Sequence, residues 1–286
     1  MPAESRAGRR PPSVAGVFYP SDAAVLRRKL AEVLPAGPRK PAAAVLAPHA
    51  GYDYSGRVAG AAYARVEVTP EVVLLAFHHR GAGARFGIWP GGSWETPLGE
   101  APIARDLADR LKSACPELEE DEGGFTREHS GEVQVPFLQA ARPDVRIVPI
   151  AVNAWEGGMS GREELARFAR SLASAVRGEL VVATTDLTHC GEGYGIAPPP
   201  GMKPVEWAQA QDRRVLNALE RLDIEDFWEA VARRGVTMCG VGPTAVFIGY
   251  GRARGASSAE IVAYGTSADD EPDADRAVGY PGVVIW

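Results

Sequence analysis

Five histidines and three cysteines are the residues of this 286-residue chain whose types suit metal or acid–base chemistry. Imidazole is the commonest metal ligand and the side chain that exchanges protons near neutral pH, and a thiolate is a soft, strong ligand. His49 stands in Ala47-Pro48-His49-Ala50-Gly51-Tyr52, where Pro48 stiffens the approach and Gly51 permits a tight departure. His78 and His79 close the apolar run Val72-Val73-Leu74-Leu75-Ala76-Phe77. In Thr184-Thr185-Asp186-Leu187-Thr188-His189 a carboxylate precedes an imidazole by three residues, a spacing with which Asp186 could orient His189 for proton transfer or simply cap the following turn. His129 lies in Glu128-His129-Ser130-Gly131-Glu132, ahead of a helical stretch that Ser130 would naturally cap; on these residues alone it reads as structural support. Cys239 sits in Met238-Cys239-Gly240-Val241-Gly242-Pro243, whose glycines let backbone or ligand close on the sulfur. Cys115 and Cys190 read as small buried thiols.

These side chains need strands to bring them together. Continuous apolar runs predict buried strands at 43–47, 71–77, 145–152 and 180–184, with later strands at 261–264 and 278–285. Helical periodicity predicts a first helix capped by Ser21 and ended by Pro35, then helices at 56–66, 103–114, 131–141 (interrupted by Pro136), 162–176, 205–222, 224–234 and 244–250. Residues 81–99 carry six glycines and no helical period, which predicts a loop or a curved hairpin. Strands alternating with helices imply a single α/β domain over 1–286, with a largely parallel central sheet covered on both faces and a flexible, Pro-rich start over 1–12. Open α/β sheets bind ligands at the carboxyl ends of their strands, so His49 and His78 converge if their strands are neighbours.

A net charge of −6 has the wrong sign for a protein built to grip phosphate backbones, which argues against nucleic acid as a partner. The acidic runs at 117–122 and 269–275 read as solvated turns. The Gly240-Val241-Gly242-Pro243 stretch imitates a dinucleotide fingerprint, but it lies far from the first strand and places Pro inside the turn. No apolar stretch has the length of a membrane span and no signal pattern opens the chain, so membrane association is not expected. Three scattered cysteines cannot form a disulfide framework and point to a reducing, cytoplasmic compartment.

Taken in order, Gly16-Val17-Phe18-Tyr19-Pro20, Ala47-Pro48-His49-Ala50-Gly51-Tyr52, Tyr54-Ser55-Gly56, Thr96-Pro97-Leu98-Gly99-Glu100, Glu128-His129-Ser130-Gly131-Glu132-Val133-Gln134-Val135-Pro136-Phe137-Leu138, Asp186-Leu187-Thr188-His189 and Met238-Cys239-Gly240-Val241-Gly242-Pro243 resemble the Memo family. Bacterial members of that family are called AmmeMemoRadiSam system protein B, and the resemblance spans nearly the whole chain. It implies a fold similar to the class III extradiol ring-cleaving dioxygenases, which use non-haem Fe(II). By position it implies His49, His78 and Cys239 as metal ligands, with Asp186, His189 and His129 as the polar groups beside them. A thiolate in place of the dioxygenase carboxylate widens the metal choice to Fe(II), Zn(II) or Cu. Where many family members have Gly-Pro-Asn/Ser-His, this chain has Ala76-Phe77-His78-His79, which leaves His79 as the alternative ligand to His78. The family name also implies a radical-SAM protein and an AMMECR1-type protein as partners.

Three functions share this residue set. The leading one is a mononuclear metal enzyme, an Fe(II)-dependent oxygenase or related redox enzyme on a small aromatic or chelating substrate, in which His189, oriented by Asp186, carries a proton. The second is a non-catalytic metal-binding or protein-interaction member of the family, and the third a metal-dependent hydrolase.

Overall fold

Runs of β-branched and aliphatic residues without polar alternation can only be buried on both faces, and four of them form the centre of one sheet. The computed structural model describes residues 8–81, 83–154, 158–233, 235–271 and 275–286. Among these the order is β1 (Arg9–Arg10), α1 (Ala23–Val33), β2 (Ala44–Ala47), α2 (Gly56–Tyr63), β3 (Glu71–Ala76), β4 (Phe86–Ile88), β5 (Ser93–Thr96), β6 (Gly99–Pro102), α3 (Arg105–Ala114) and β7 (Glu119–Glu120). There follow α4 (Val135–Ala141), β8 (Arg146–Val152), α5 (Gly158–Ala175), β9 (Leu180–Thr184), β10 (His189–Gly191), α6 (Pro204–Glu220), α7 (Ile224–Val231), α8 (Val241–Ala253), β11 (Glu260–Thr266) and β12 (Arg276–Ile285). Arg234 at the end of the expected 224–234 helix, 272–274 of the acidic run, Ala82 of the glycine-rich stretch and residues 1–7 lie outside the described residues.

The main sheet runs β10-β12-β2-β9-β3-β8-β4-β7, with β11 also paired to β12. Its centre, β2-β9-β3-β8, is parallel throughout. Its flanks are not: β12 runs antiparallel to β2, β10 and β11, and β4 antiparallel to β8. The sheet is therefore mixed, with the expected parallel character confined to its middle. Successive residues of β3 serve opposite faces: Val73 and Leu75 join a core with α3, α5, α6, α7 and α8, while Val72 and Leu74 join one with α1, α2 and α4. A three-stranded sheet, β1-β5-β6, lies outside the main sheet, and its β5–β6 hairpin begins in the last part of the glycine-rich stretch, after β4.

Several local details depart from the sequence reading. Asp22, not Ser21, caps α1, accepting from the backbone N–H of Ala24 and Val25. Pro136 does not interrupt a helix; α4 begins at Val135, so the missing N–H of Pro136 falls in the first turn, where no intrahelical acceptor waits for it. The start of the chain is not loose where it is described. Arg9 and Arg10 pair with Ser93 and Trp94, and Arg10, only 1% exposed, donates to Glu132 at 2.7 Å and to the Phe125 carbonyl at 2.8 Å. No helix among the described residues is long and apolar enough to cross a membrane.

Candidate metal centre

The carboxyl ends of β2, β9 and β3 lie side by side and supply most of the polar side chains of the site. His49 leaves β2, Thr184 to His189 leave β9, and Phe77 to His79 leave β3. The strands of His49 and His79 are not neighbours, because β9 runs between them, yet their rings meet edge to face over its end at 5.2 Å. Cys239 arrives from the other side, just ahead of α8, with its N–H on the Asp186 carbonyl. Gly240 makes that approach possible, since a Cβ there would stand 2.4 Å from the Thr184 carbonyl oxygen.

The structure gathers His49, His79 and Cys239, each offering one ligand atom within 4.8 Å of the others. His78, the residue expected from the resemblance, is turned away from this group. Its ring stands edge-on to Phe125 at 4.9 Å, its backbone N–H donates to Asn153 Oδ1 at 2.9 Å, and its Nδ1 lies 3.2 Å from Asn153 Nδ2.

Hydrogen bonding sets the tautomers of the two facing imidazoles. The Thr184 hydroxyl donates its one proton to the Ala47 carbonyl at 2.9 Å and accepts from Gln134 Nε2 at 3.1 Å. It can therefore only accept from His49 Nδ1, 2.8 Å away, which leaves His49 Nε2 as a lone pair 3.2 Å from Cys239 Sγ. His79 Nδ1 donates to the Glu128 carboxylate at 2.9 Å, which leaves Nε2 as its available ligand atom. An acceptor behind each ligating imidazole is the usual support of a metal-binding histidine. Glu128 is fixed in turn by the N–H groups of His79, His129 and Ser130 at 2.7 Å each. Burial alone would raise its carboxyl, but the hydrogen bond and charge of His79 hold it at about 2.

Burial, reinforced by the imidazoles of His79 and His129, holds His49 well below its ordinary pKa, so it is neutral. Its 3.9 Å approach to Asp186 Oδ2 is thus not an ion pair. Burial and then the Asp186 charge push the Cys239 thiol well above its ordinary value, against the N–H groups of Asp186 and Gly240 and the Thr185 side chain, which favour the thiolate. A strongly bound cation would displace the proton of a thiol so placed, releasing it to solvent as the thiolate binds.

Asp186 and His189 come together with Cys239, their ligand atoms within 4.8 Å of one another, but no hydrogen bond joins the two among the described residues. The Asp186 carboxylate accepts the His49 N–H at 2.8 Å and that of Ala50, and burial lifts its pKa to about 7. His189 is oriented by two backbone carbonyls, Leu187 at 2.9 Å and Thr237 at 3.2 Å from its Nδ1. Ser130, expected as a helix cap, instead donates to the Phe77 carbonyl at 2.8 Å and ties the His129 segment to the end of β3. His129 stacks on His79 at 4.2 Å, and burial followed by the His79 charge lowers its pKa to about 4.

His79, His129, Asp186 and His189 line a cavity of about 360 Å³ whose other walls include Phe18, Tyr54, Tyr194 and Tyr280. Three roomier clefts, of about 480, 470 and 430 Å³, hold no histidine or cysteine among their described lining residues.

A family model for the Memo-like protein matches residues 10–284. The chain belongs to the Memo family. It is 35% identical to a MEMO1 family protein of Methanothermobacter thermautotrophicus over 95% of this chain and 98% of that one. It is 36% identical to a MEMO1 family protein of Aquifex aeolicus over 96% and 98%. The fold is also similar to that of an uncharacterized protein from Escherichia coli K12, with a TM-score of 0.51 at 16% identity, covering 85% of this Memo chain and 99% of the other.

Sequence reasoning missed the supporting residues Thr184, Gln134 and Glu128. Thr184 carried a signal, a hydroxyl ending an otherwise apolar strand, and Glu128 another, a carboxylate directly before a histidine. Gln134, buried two residues before Pro136, carried none.

Proposed function

We infer that His49, His79 and Cys239 hold one transition-metal ion and that the protein is a non-haem metal enzyme, an Fe(II)-dependent oxygenase or related redox enzyme, acting on a small aromatic or chelating substrate. The observation that carries this reading is the convergence of two imidazoles with acceptor-fixed Nδ1 positions and one thiol beside a cavity. Two nitrogens and a sulfur suit Fe(II), Zn(II) or Cu. The resemblance to extradiol dioxygenases favours Fe(II). A metal bound there would supply Lewis acidity toward substrate oxygens and, as Fe(II), the redox capacity for dioxygen chemistry.

The chain's own groups supply the rest. The two carbonyls on His189 Nδ1 require a proton there, which turns an unprotonated Nε2 to the cavity, and burial keeps the ring neutral by lowering its pKa. His189 is therefore built to accept a proton from a substrate hydroxyl. His129, neutral and stacked on His79, presents a second imidazole to substrate in the same cavity. Phe18, edge-on to His129 at 4.7 Å, helps to exclude water from that wall.

The test is anaerobic loading with Fe(II), metal analysis, and oxygen uptake against a panel of catechols. One iron per chain with uptake coupled to ring cleavage is the expected result. Tight metal binding without turnover would favour a non-catalytic role, and oxygen-independent bond cleavage a hydrolase.

A further inference from the structure

The cavity has a second polar wall, made by one face of β12. Arg276, Val278 and Tyr280 alternate along that strand, so their side chains share a face, and all three line the cavity. The register pairs His189 with Val278 and Gly191 with Arg276, which sets the imidazole of His189 beside the middle of this strip. At its closed end Tyr280 is only 2% exposed, and its hydroxyl has no hydrogen-bond partner among the described residues. At its open end Arg276 is the one Lys or Arg among the described lining residues. Its side chain is 55% exposed, and the described carboxylate it pairs with, Glu271, stands 3.8 Å away, beyond hydrogen-bond reach. The other oxygen of Glu271 accepts from the Tyr54 hydroxyl at 2.9 Å, which ties this carboxylate to a second wall of the cavity. Among the described residues Arg276 thus faces Glu271 but has no hydrogen bond to its fork of donors, at the mouth of a cavity with aromatic walls.

We propose that Arg276 is an anion subsite and that the substrate is a small aromatic acid, its carboxylate on Arg276, its ring among the aromatic side chains and an oxygen of its buried end on the Tyr280 hydroxyl. A planar guanidinium matches a carboxylate through two parallel hydrogen bonds, which an exposed ammonium would not. The chelating half of this substrate rests on the metal centre inferred above; the anionic half rests on β12 alone.

The experiment compares 3,4-dihydroxybenzoate with catechol, which share a diol and differ by a carboxylate. Each is titrated by calorimetry into Zn(II)-loaded and metal-free protein, with zinc content measured on the same samples. Wild type is expected to bind the acid about tenfold more tightly than catechol, the gain of roughly one charge-assisted hydrogen bond. Arg276→Gln should abolish that preference while leaving catechol affinity and zinc content unchanged, and Tyr280→Phe should weaken both probes equally. No preference in wild type, a preference that survives Arg276→Gln, or no binding of either probe to zinc-loaded protein overturns the proposal. Protein that takes up no zinc overturns the metal centre instead. In that event a carboxylate preference in metal-free protein that Arg276→Gln removes upholds the subsite by itself.

Discussion

Thr184→Val separates support of the metal centre from the ligands themselves. The substitution keeps the shape of the side chain and removes a hydroxyl that makes three buried contacts: to the Ala47 carbonyl, Gln134 Nε2 and His49 Nδ1. Gln134 Nε2 retains the Pro48 carbonyl at 2.8 Å, and Ala47 loses only an extra donor, so the group left stranded is the His49 N–H. A buried donor without a partner costs about 1–3 kcal/mol, so the metal-free variant should be less stable by that amount in urea unfolding. The alternative open to His49 is to shift its proton to Nε2, which faces Cys239 Sγ and is the atom needed for coordination. Either route weakens metal binding, by about 10–100-fold as for other supports behind a ligating histidine. The assay is competition for Zn(II) against a chromophoric chelator, beside urea unfolding of the same metal-free samples. Unchanged zinc affinity in a folded Thr184→Val protein would refute the assignment of His49 Nε2 as a ligand.

Cys239→Ser should lower zinc affinity in that competition assay far more than Cys115→Ser or Cys190→Ser, since both of those cysteines are buried away from the cluster. His189→Ala should leave metal content intact and lower turnover of a true substrate by about 10²–10⁴-fold, read as metal stoichiometry beside activity. Glu132 gives a pH signature. Burial alone would raise its carboxyl, but Arg10, the N–H groups of Ser13 and Val14 and the Tyr19 hydroxyl hold it below its ordinary value. A depressed folded pKa stabilises the protein above the unfolded value and is lost as pH falls through the folded one. Glu132→Gln, which also strands the Arg10 charge, should therefore cost about 3–5 kcal/mol in urea unfolding at pH 7, narrowing below pH 4.5 or so.

The central strands were legible because burial on both faces leaves a run such as Val72-Val73-Leu74-Leu75 no other structure. The flanking strands were not, because a mixed sheet is decided by where β12 returns, and one strand pairs with β10 at its start and with both β11 and β2 toward its end. Placing chemistry at strand ends was likewise readable from His49, Asp186 and His189. The choice between His78 and His79 was not, because it turns on the single residue at which β3 stops being regular. Nor was the true partner of Asp186: three residues of spacing suggested His189, while the fold brings it the backbone N–H of His49 from a neighbouring strand end. The anchoring of Arg10 by Glu132 joins distant parts of the chain and leaves no local pattern.

The most direct test of the metal centre is X-ray absorption at the zinc edge of stoichiometrically loaded protein, in wild type, Cys239→Ser, His79→Ala and His78→Ala. Wild type should show one sulfur at about 2.3 Å together with nitrogen at about 2.0–2.1 Å. The sulfur shell should vanish in Cys239→Ser, one imidazole should be lost in His79→Ala, and His78→Ala should leave the spectrum unchanged. A wild-type spectrum without sulfur, or loss of an imidazole in His78→Ala but not in His79→Ala, would contradict the account.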